Sequence, residues 1–386
     1  MIVLTVLSGL LAMAVLGLIA GAFLSPTASL FAVVASMVWA PFAPFLILVA
    51  LAACLLGLFA RSFGSRRLGN ITVAASTLGI VGSGFILARI WLAASAAGGQ
   101  IDLPASFMLS RMDAPAPDMV EIIRTIDETE LRAAIYQPPS SPGPAPIIAY
   151  VHGGGFMIGT NTETAADLRW FADRGWLVIS VDYRLFAPDS PTWDQAPDDV
   201  ACALGWIARN AARLGGDTSR LALLGDSAGG NLAINIGFAA AAGSARSTCG
   251  DDIPVPAAIA VLYPAVDPIS IYEEGFAIPG FAPRMLIEGY IGGSPDQYPE
   301  RIAAIASASF LTRLAPPTLV VLPENDGLVV AQGTRSFVQD AQRTGVPIEL
   351  VQIPFANHVF NQIAANSIGN QIGRTVRLRF LDQHVR

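Results

Sequence analysis

Lysine is missing from this chain of 386 residues, and no Asp or Glu occurs before Asp102. The missing lysine reflects base composition and carries no functional meaning. The missing acid is informative. Before Asp102 the only charges are Arg61, Arg66, Arg67 and Arg89, which excludes an ordinary solvated domain there. All 30 acidic residues lie further on with 19 of the 23 arginines, so the remainder carries −11. A domain of that sign offers no basic footprint, and nucleic acid is excluded as a partner. Histidine and cysteine are scarce at three each, and no internal repeat is visible. Cys54 falls in an apolar run, Cys202 in an expected amphipathic helix and Cys249 in a loop. That placement favours two packing cysteines and a loop thiol over a Cys202–Cys249 disulfide.

What fills the acid-free stretch is hydrophobic. Three apolar segments, Ile2 to Leu24, Leu30 to Ala60 and Ile71 to Ala97, each exceed the roughly 18 to 20 residues that cross about 30 Å of hydrocarbon at 1.5 Å per residue. A buried soluble helix is neither so long nor so free of charge. The middle segment is too long for one straight span, and Pro41 and Pro44 are expected to break or kink it. Arg61, Arg66 and Arg67 fall in the loop between the second and third segments, which the positive-inside bias keeps cytoplasmic. The third span then delivers the remainder to the outer side, and Arg89 near its outer end has to snorkel or pair. Read as a signal peptide, the first segment lacks a basic start, and its removal would leave the domain on the same side. The expected placement is integral to the inner or plasma membrane, with bilayer lipid as a partner and an extracytoplasmic soluble domain.

Residues 99–118 read as a linker and 119–386 as the soluble domain. Val120 to Ile126 and Leu131 to Tyr136 form two strands joined by a polar turn, followed by a Pro/Ser/Gly connection from Pro138 to Pro146. Strands at Ile147 to Val151, Leu177 to Asp182, Leu221 to Leu224 and Ala257 to Leu262 then alternate with helices at Glu163 to Arg174, Pro197 to Leu214 and after Ser227. Such alternation marks a mostly parallel, doubly wound sheet covered on both faces. Residues 267–315 interrupt it with Pro, Gly and aromatics and a helix around Pro283 to Tyr290, an excursion of the size of a lid or small cap. The pattern resumes with strand Thr318 to Leu322, helix Val330 to Arg343, strand Ile348 to Ile353 and a final helix after His358.

The chemistry starts at Leu221-Ala222-Leu223-Leu224-Gly225-Asp226-Ser227-Ala228-Gly229-Gly230-Asn231, a buried-strand pattern running into Gly-x-Ser-x-Gly and a helix. A strand, sharp turn and helix in that order lift a serine hydroxyl above a sheet, and Gly225 and Gly229 remove Cβ atoms that would collide across the turn. By composition alone this chain would contain Gly-x-Ser-x-Gly about 0.2 times, so the serine needs partners. His152-Gly153-Gly154-Gly155-Phe156 follows a buried strand, where three glycines let backbone N–H groups approach an oxyanion closely. His152 itself organises that loop, and His384, near the C-terminus, is exposed and inert. His358, just past the last strand, is left as the base for Ser227, since side chains meet over a doubly wound sheet at strand carboxyl ends. The orienting acid falls between serine and histidine in chain order. Asp326 after Thr318 to Leu322 fits, with Glu324 as competitor in the same loop. Asp226 and Asp182-Tyr183-Arg184 read as loop-fixing polar groups, and Trp170, Trp193 and Trp206 as packing.

His152-Gly153-Gly154-Gly155-Phe156, Asp182-Tyr183-Arg184-Leu185, Gly225 to Asn231 and the Asp326 and His358 loops together resemble the hormone-sensitive-lipase-type esterases of the α/β-hydrolase fold, over roughly Val120 to Phe380. The resemblance implies Ser227 as nucleophile, His358 as general base then acid, and Asp326 as orienting carboxylate. It also implies an oxyanion hole of Gly154, Gly155 and Ala228 N–H groups, with Gly153 supporting the turn, and Phe156 in an acyl pocket. It implies no metal and no cofactor, and it makes 267–315 part of a cap. Such esterases are typically soluble and carry an N-terminal helical segment over the active site. Here only about 20 residues separate the last apolar span from the first strand.

The expected fold is therefore an α/β-hydrolase with a small cap insertion, preceded by an all-α transmembrane region of about three helices (1–98). The expected activity is hydrolysis of a small carboxylic ester through an acyl-enzyme, on an amphiphilic ester if membrane helices complete the cap. An acyltransferase or deacetylase could use the same triad. A non-catalytic membrane binding protein on this scaffold is opposed by the intact Ser227, Asp326 and His358.

Overall fold

The computed structural model describes residues 2–139, 143–250, 252–278 and 280–386, so part of the Pro138 to Pro146 connection and Pro279 of the cap region lie outside the described residues. The chain forms two compact units that are not contiguous in sequence. One comprises Met1–Ser110, Pro323–Gly327 and Gln352–Ile372; the other comprises Arg111–Leu322, Leu328–Val351 and Gly373–Arg386.

The first unit is built on three apolar helices, α1 (Ile2–Ala22), α2 (Leu30–Phe63) and α3 (Arg66–Ala96), each long and apolar enough to cross a membrane. Ser29 and Ser65 cap α2 and α3 by accepting from the N–H groups of Ala32 and Leu68. Small residues face inward, among them Ala32, Ala35, Ala43, Ala50, Ser76, Gly79 and Ser83, whereas Leu10, Met13, Leu55, Leu78 and Val81 point out. A bundle folded in water would do the reverse. Close-packed small residues inside and large apolar ones outside suit a lipid solvent. Two expectations are corrected here. Of the break or kink expected at Pro41 and Pro44, the break does not occur: α2 is one continuous helix through both buried prolines, since neighbouring helices can compensate for the lost backbone hydrogen bonds. None of the three arginines expected in the connecting loop lies there: Arg61 is in the last turn of α2, and Arg66 and Arg67 are the first residues of α3, which Ser65 caps.

The second unit carries the eight-stranded sheet apart from the last residues of β7 and β8, in the order β1-β2-β4-β3-β5-β6-β7-β8. Its strands are β1 (Met119–Ile126), β2 (Thr129–Tyr136), β3 (Ala145–Val151), β4 (Leu177–Val181), β5 (Gly216–Asp226), β6 (Ala258–Leu262), β7 (Thr318–Pro323) and β8 (Ile348–Ile353). β1, β2 and β4 pair antiparallel, whereas β4, β3, β5, β6 and β7 run parallel, with Ile148 opposite both Val178 and Ala222. The parallel strands are apolar on both faces, as the unbroken burial of β3, β4, β6 and β7 requires. Between the strands come α4 (Ala165–Ala172), α5 (Gln195–Asn210), α6 (Ala228–Ala241) and α10 (Ala331–Thr344), and α11 (Ile368–His384) closes the chain. Among its described residues the 267–315 excursion holds three short α-helices, α7 (Pro268–Glu274), α8 (Pro283–Ile291) and α9 (Pro299–Ile305), each with Pro in its first turn, and a 3-10 turn at Ser307–Phe310.

Cys202 and Cys249 form a disulfide with Cα atoms 5.5 Å apart, correcting the reading of two separate thiols. The loop carrying Cys249 is bound to α5, where Asp198 accepts from the N–H and hydroxyl of Thr248. No sequence pattern announces that docking. Trp206 is core, as expected, while Trp193 is half-buried under the Arg301 guanidinium and Trp170 under those of Arg174 and Arg374.

Candidate active site

In the second unit, β5 ends at Asp226 and α6 starts at Ala228, leaving Ser227 alone in the turn. Its backbone sits at φ 55° and ψ −118°, outside the regions an L-residue normally occupies. Neighbours over-determine this strain, as they must for it to persist. Ser227 N–H donates to Leu262 O at 3.0 Å, and its carbonyl accepts from Ala265 and Asn231. A Cβ on Gly225 would lie 2.3 Å from Gly229 O, and one on Gly229 would lie 2.1 Å from Val151 O. Both glycines are thus compelled by backbone approach, as the sequence indicates.

The Asp226 carboxylate points away from solvent. It accepts from Arg377 at 3.0 Å and from the Tyr150 hydroxyl at 3.2 Å, and Asp167 lies 3.8 Å from the same guanidinium. Burial first, and then Asp226, push the Tyr150 hydroxyl well above its usual pKa, so it remains a proton donor to that carboxylate. Asp226 is a fixing group for the strand end, and α11 supplies its counter-ion.

The triglycine loop lies against this turn, with the Gly153 Cβ position 3.5 Å from Ser227 Cβ and 3.0 Å from Asp226 O. Gly154 has φ 104°, and a Cβ there would lie 1.9 Å from Ile158 O, so the tight turn tolerates glycine alone. Tyr183 donates from its hydroxyl toward His152 O (3.0 Å) and Gly153 O (3.2 Å), and its ring stacks on His152. Burial pushes His152 down to about 4. The neutral ring donates its Nδ1–H to Gly153 O at 2.8 Å, fixing one tautomer. Asp182 accepts from the Asn161 backbone and amide, and Arg184 pairs with Asp199. These residues fix loops, as expected. Phe156 is buried and stacked on Tyr290 of α8 at 3.8 Å, tying the loop to the 267–315 insertion. Ala228 N–H belongs to the first turn of α6, where backbone donors lack helical partners.

The first unit holds the other two side chains. Asp326 is fully buried after β7, and its Oδ2 lies 2.8 Å from His358 Nδ1. Glu324, the competing acid, is exposed. His384 is exposed against Phe380 at the end of α11. Sequence reading missed Asn325 and Asn357, which adjoin Asp326 and His358, and the Arg377 counter-ion. The one signal available was an asparagine immediately before each member of the pair.

Residues 148–362 match the family described as alpha/beta hydrolase fold. The chain belongs to the α/β-hydrolase family, in its hormone-sensitive-lipase-like branch. Carboxylesterase NlhH of Mycobacterium tuberculosis is 42% identical over 105 residues, 27% of this chain and 32% of that protein. The match therefore spans about a third of that relative. Ethyl acetate hydrolase of Pseudomonas putida is 26% identical over 78% of this chain and 94% of its own length, and bovine hormone-sensitive lipase is 34% identical over 33% and 16% respectively. Among solved structures, Thermogutta terrifontis esterase 2 superposes with a TM-score of 0.58 at 21% identity, over 71% of this chain and 98% of that one. At that identity the likeness establishes the α/β-hydrolase fold alone.

Proposed function

We propose that this α/β-hydrolase is a membrane-anchored serine carboxylic-ester hydrolase that works through an acyl-enzyme. Ser227 Oγ attacks the ester carbonyl carbon while His358 takes its proton on Nε2, and the Asp326 carboxyl group holds the imidazole through Nδ1–H. The carbonyl oxygen, now an oxyanion, accepts from the N–H groups of Gly154, Gly155 and Ala228, with Gly153 shaping the turn. The bond to the alcohol then breaks, and the alcohol leaves with the proton from His358. Water, deprotonated by the same histidine, releases the acid and restores Ser227. The scheme uses no metal or cofactor.

The observation that carries this reading is Ser227 itself, a non-glycine residue at φ 55° between two glycines that admit no Cβ, at the start of a helix. The buried Asp326–His358 pair supports it, as do relatives that are a carboxylesterase and an ethyl acetate hydrolase. Ser227→Ala should lower hydrolysis of p-nitrophenyl esters at least about 10³-fold with the fold intact. Unchanged activity would overturn the mechanism.

The soluble domain lies outside the cytoplasm, supported by Arg61, Arg66 and Arg67 at one end of the helices and by a disulfide of the kind that persists in oxidising compartments. A membrane-impermeant fluorophosphonate should label Ser227 in intact cells, and labelling only after lysis would reverse the orientation. The ester is amphiphilic, supported by exposed Phe107, Met108 and Ile363 in the unit that bears the base, with Phe107 against Phe45 of α2 at 5.2 Å. Turnover should rise as a substrate passes its micellar concentration, and a flat response would remove this point.

A further inference from the structure

We infer that Asn325 and Asn357 are positioning residues that fasten the acid and the base to the apolar helices, so that α1 and α2 belong to the catalytic apparatus as well as to the anchor. This rests on the serine-hydrolase reading above. Asn325 precedes Asp326, and its Nδ2 donates to the carbonyl of Ala22, the last residue of α1, at 3.1 Å. Its backbone N–H donates to Ala356 O at 2.9 Å, joining the two loops directly. Asn357 precedes His358 and is almost fully buried. Its Nδ2 donates to Ser36 Oγ at 2.6 Å and toward Val33 O at 3.3 Å, both on α2. Its Oδ1 accepts from the N–H of His358 at 2.6 Å and from that of Gly327, the residue after the acid, at 3.1 Å.

One amide thus grips the backbone beside both members of the Asp326–His358 pair and a helix more than 300 residues away in sequence. Ser36 is held in turn, its hydroxyl lying 2.9 Å from the carbonyls of Ala32 and Val33. Trp39 Nε1 donates to Leu18 O at 3.2 Å, locking α1 to α2. Phe355 is wedged edge-on against Phe23 and Phe85, at 5.1 and 6.4 Å between centroids. Helix length explains how lipid-solvated helices can hold polar loops. α2 has 34 residues, about 51 Å at 1.5 Å per residue, against about 30 Å of hydrocarbon. Arg61 marks the water boundary at its C-terminal end, so the surplus turns fall at the N-terminal end, where Val33 and Ser36 lie.

The test uses the full chain in detergent micelles, with kcat and KM for a p-nitrophenyl ester and the thermal unfolding midpoint. Asn357→Ala should lower kcat about 10- to 100-fold with KM within about twofold, the loss expected from sub-ångström misplacement of a general base. Asn325→Ala should act in the same direction with smaller effect. Ser36→Ala should cost kcat roughly 3- to 10-fold and Ser36→Thr should restore it, because the hydroxyl and not the volume is required. The Asn357→Ala/Ser36→Ala pair should be no worse than Asn357→Ala, since one link is broken either way. Wild-type kcat in Asn357→Ala and Ser36→Ala overturns the inference, and so does a loss confined to KM. If Asn357→Ala does not fold, Ser36 decides: a kcat loss rescued by Thr supports the link, and an unaffected kcat refutes it. Turnover surviving in Ser227→Ala would instead overturn the underlying mechanism.

Discussion

Two carboxylates two positions apart illustrate how burial selects a role. Asp326 is sequestered at 2.8 Å from His358 Nδ1, while Glu324 is in water. Asp326→Asn should therefore lower kcat about 10³- to 10⁴-fold by presenting the wrong tautomer, and Glu324→Gln should leave it within about twofold; equal effects would refute the assignment. His152 makes a prediction of another kind. The folded protein holds its imidazole neutral down to about pH 4, whereas an unfolded chain protonates it near 6.5. Stability is therefore complete above pH 6.5, falls as pH drops toward 4, and loses no more below that, with up to about 3 kcal/mol lost from this group. The thermal midpoint should fall over that window, and less steeply in His152→Gln. Parallel slopes would show that other groups carry the pH dependence.

Among elements, β5 and α11 are coupled by a buried charge. Arg377 and Asp226 are each about 1% exposed in their side chains, and removing Arg377 leaves the Asp226 carboxylate buried without its counter-ion. Arg377→Met should cost about 3 to 5 kcal/mol, read as a lowered unfolding midpoint, and should reduce activity by loosening the strand end beneath Ser227; an unshifted midpoint would contradict this. Most elements were legible in the sequence. Apolar runs between turn residues placed all eight strands, and Gly225, Gly229 and the triglycine loop marked places where a Cβ has no room. The continuity of α2 through Pro41 and Pro44 was not legible, because proline's local cost does not describe a helix packed against apolar neighbours that can offset it. The start of α3 was missed for a simpler reason: arginines read as loop residues are good helix formers, and the Ser65 cap lets the helix begin at them despite the unfavourable dipole.

For the molecule as a whole, the disulfide closes a loop spanning 47 residues of separation, worth at most about 4 kcal/mol in the chain-entropy account. Dithiothreitol or Cys249→Ser should lower the unfolding midpoint, and a midpoint indifferent to reductant would count against a structural role. Sequence by itself determined the three apolar helices and the sheet that follows them, and it singled out Ser227 and His358 as candidates, with Asp326 still in competition with Glu324. Each of these is written in local periodicity or in scarcity, since only three histidines compete for one role. Tertiary structure alone decided which cysteines meet, which arginine neutralises Asp226, and that the loops of Asp326 and His358 form one compact unit with the apolar helices. Those outcomes rest on side chains far apart in the chain that meet only after folding. A contact such as Asn357 with Ser36 has no period or spacing to announce it, only the cost of leaving either group buried without a partner.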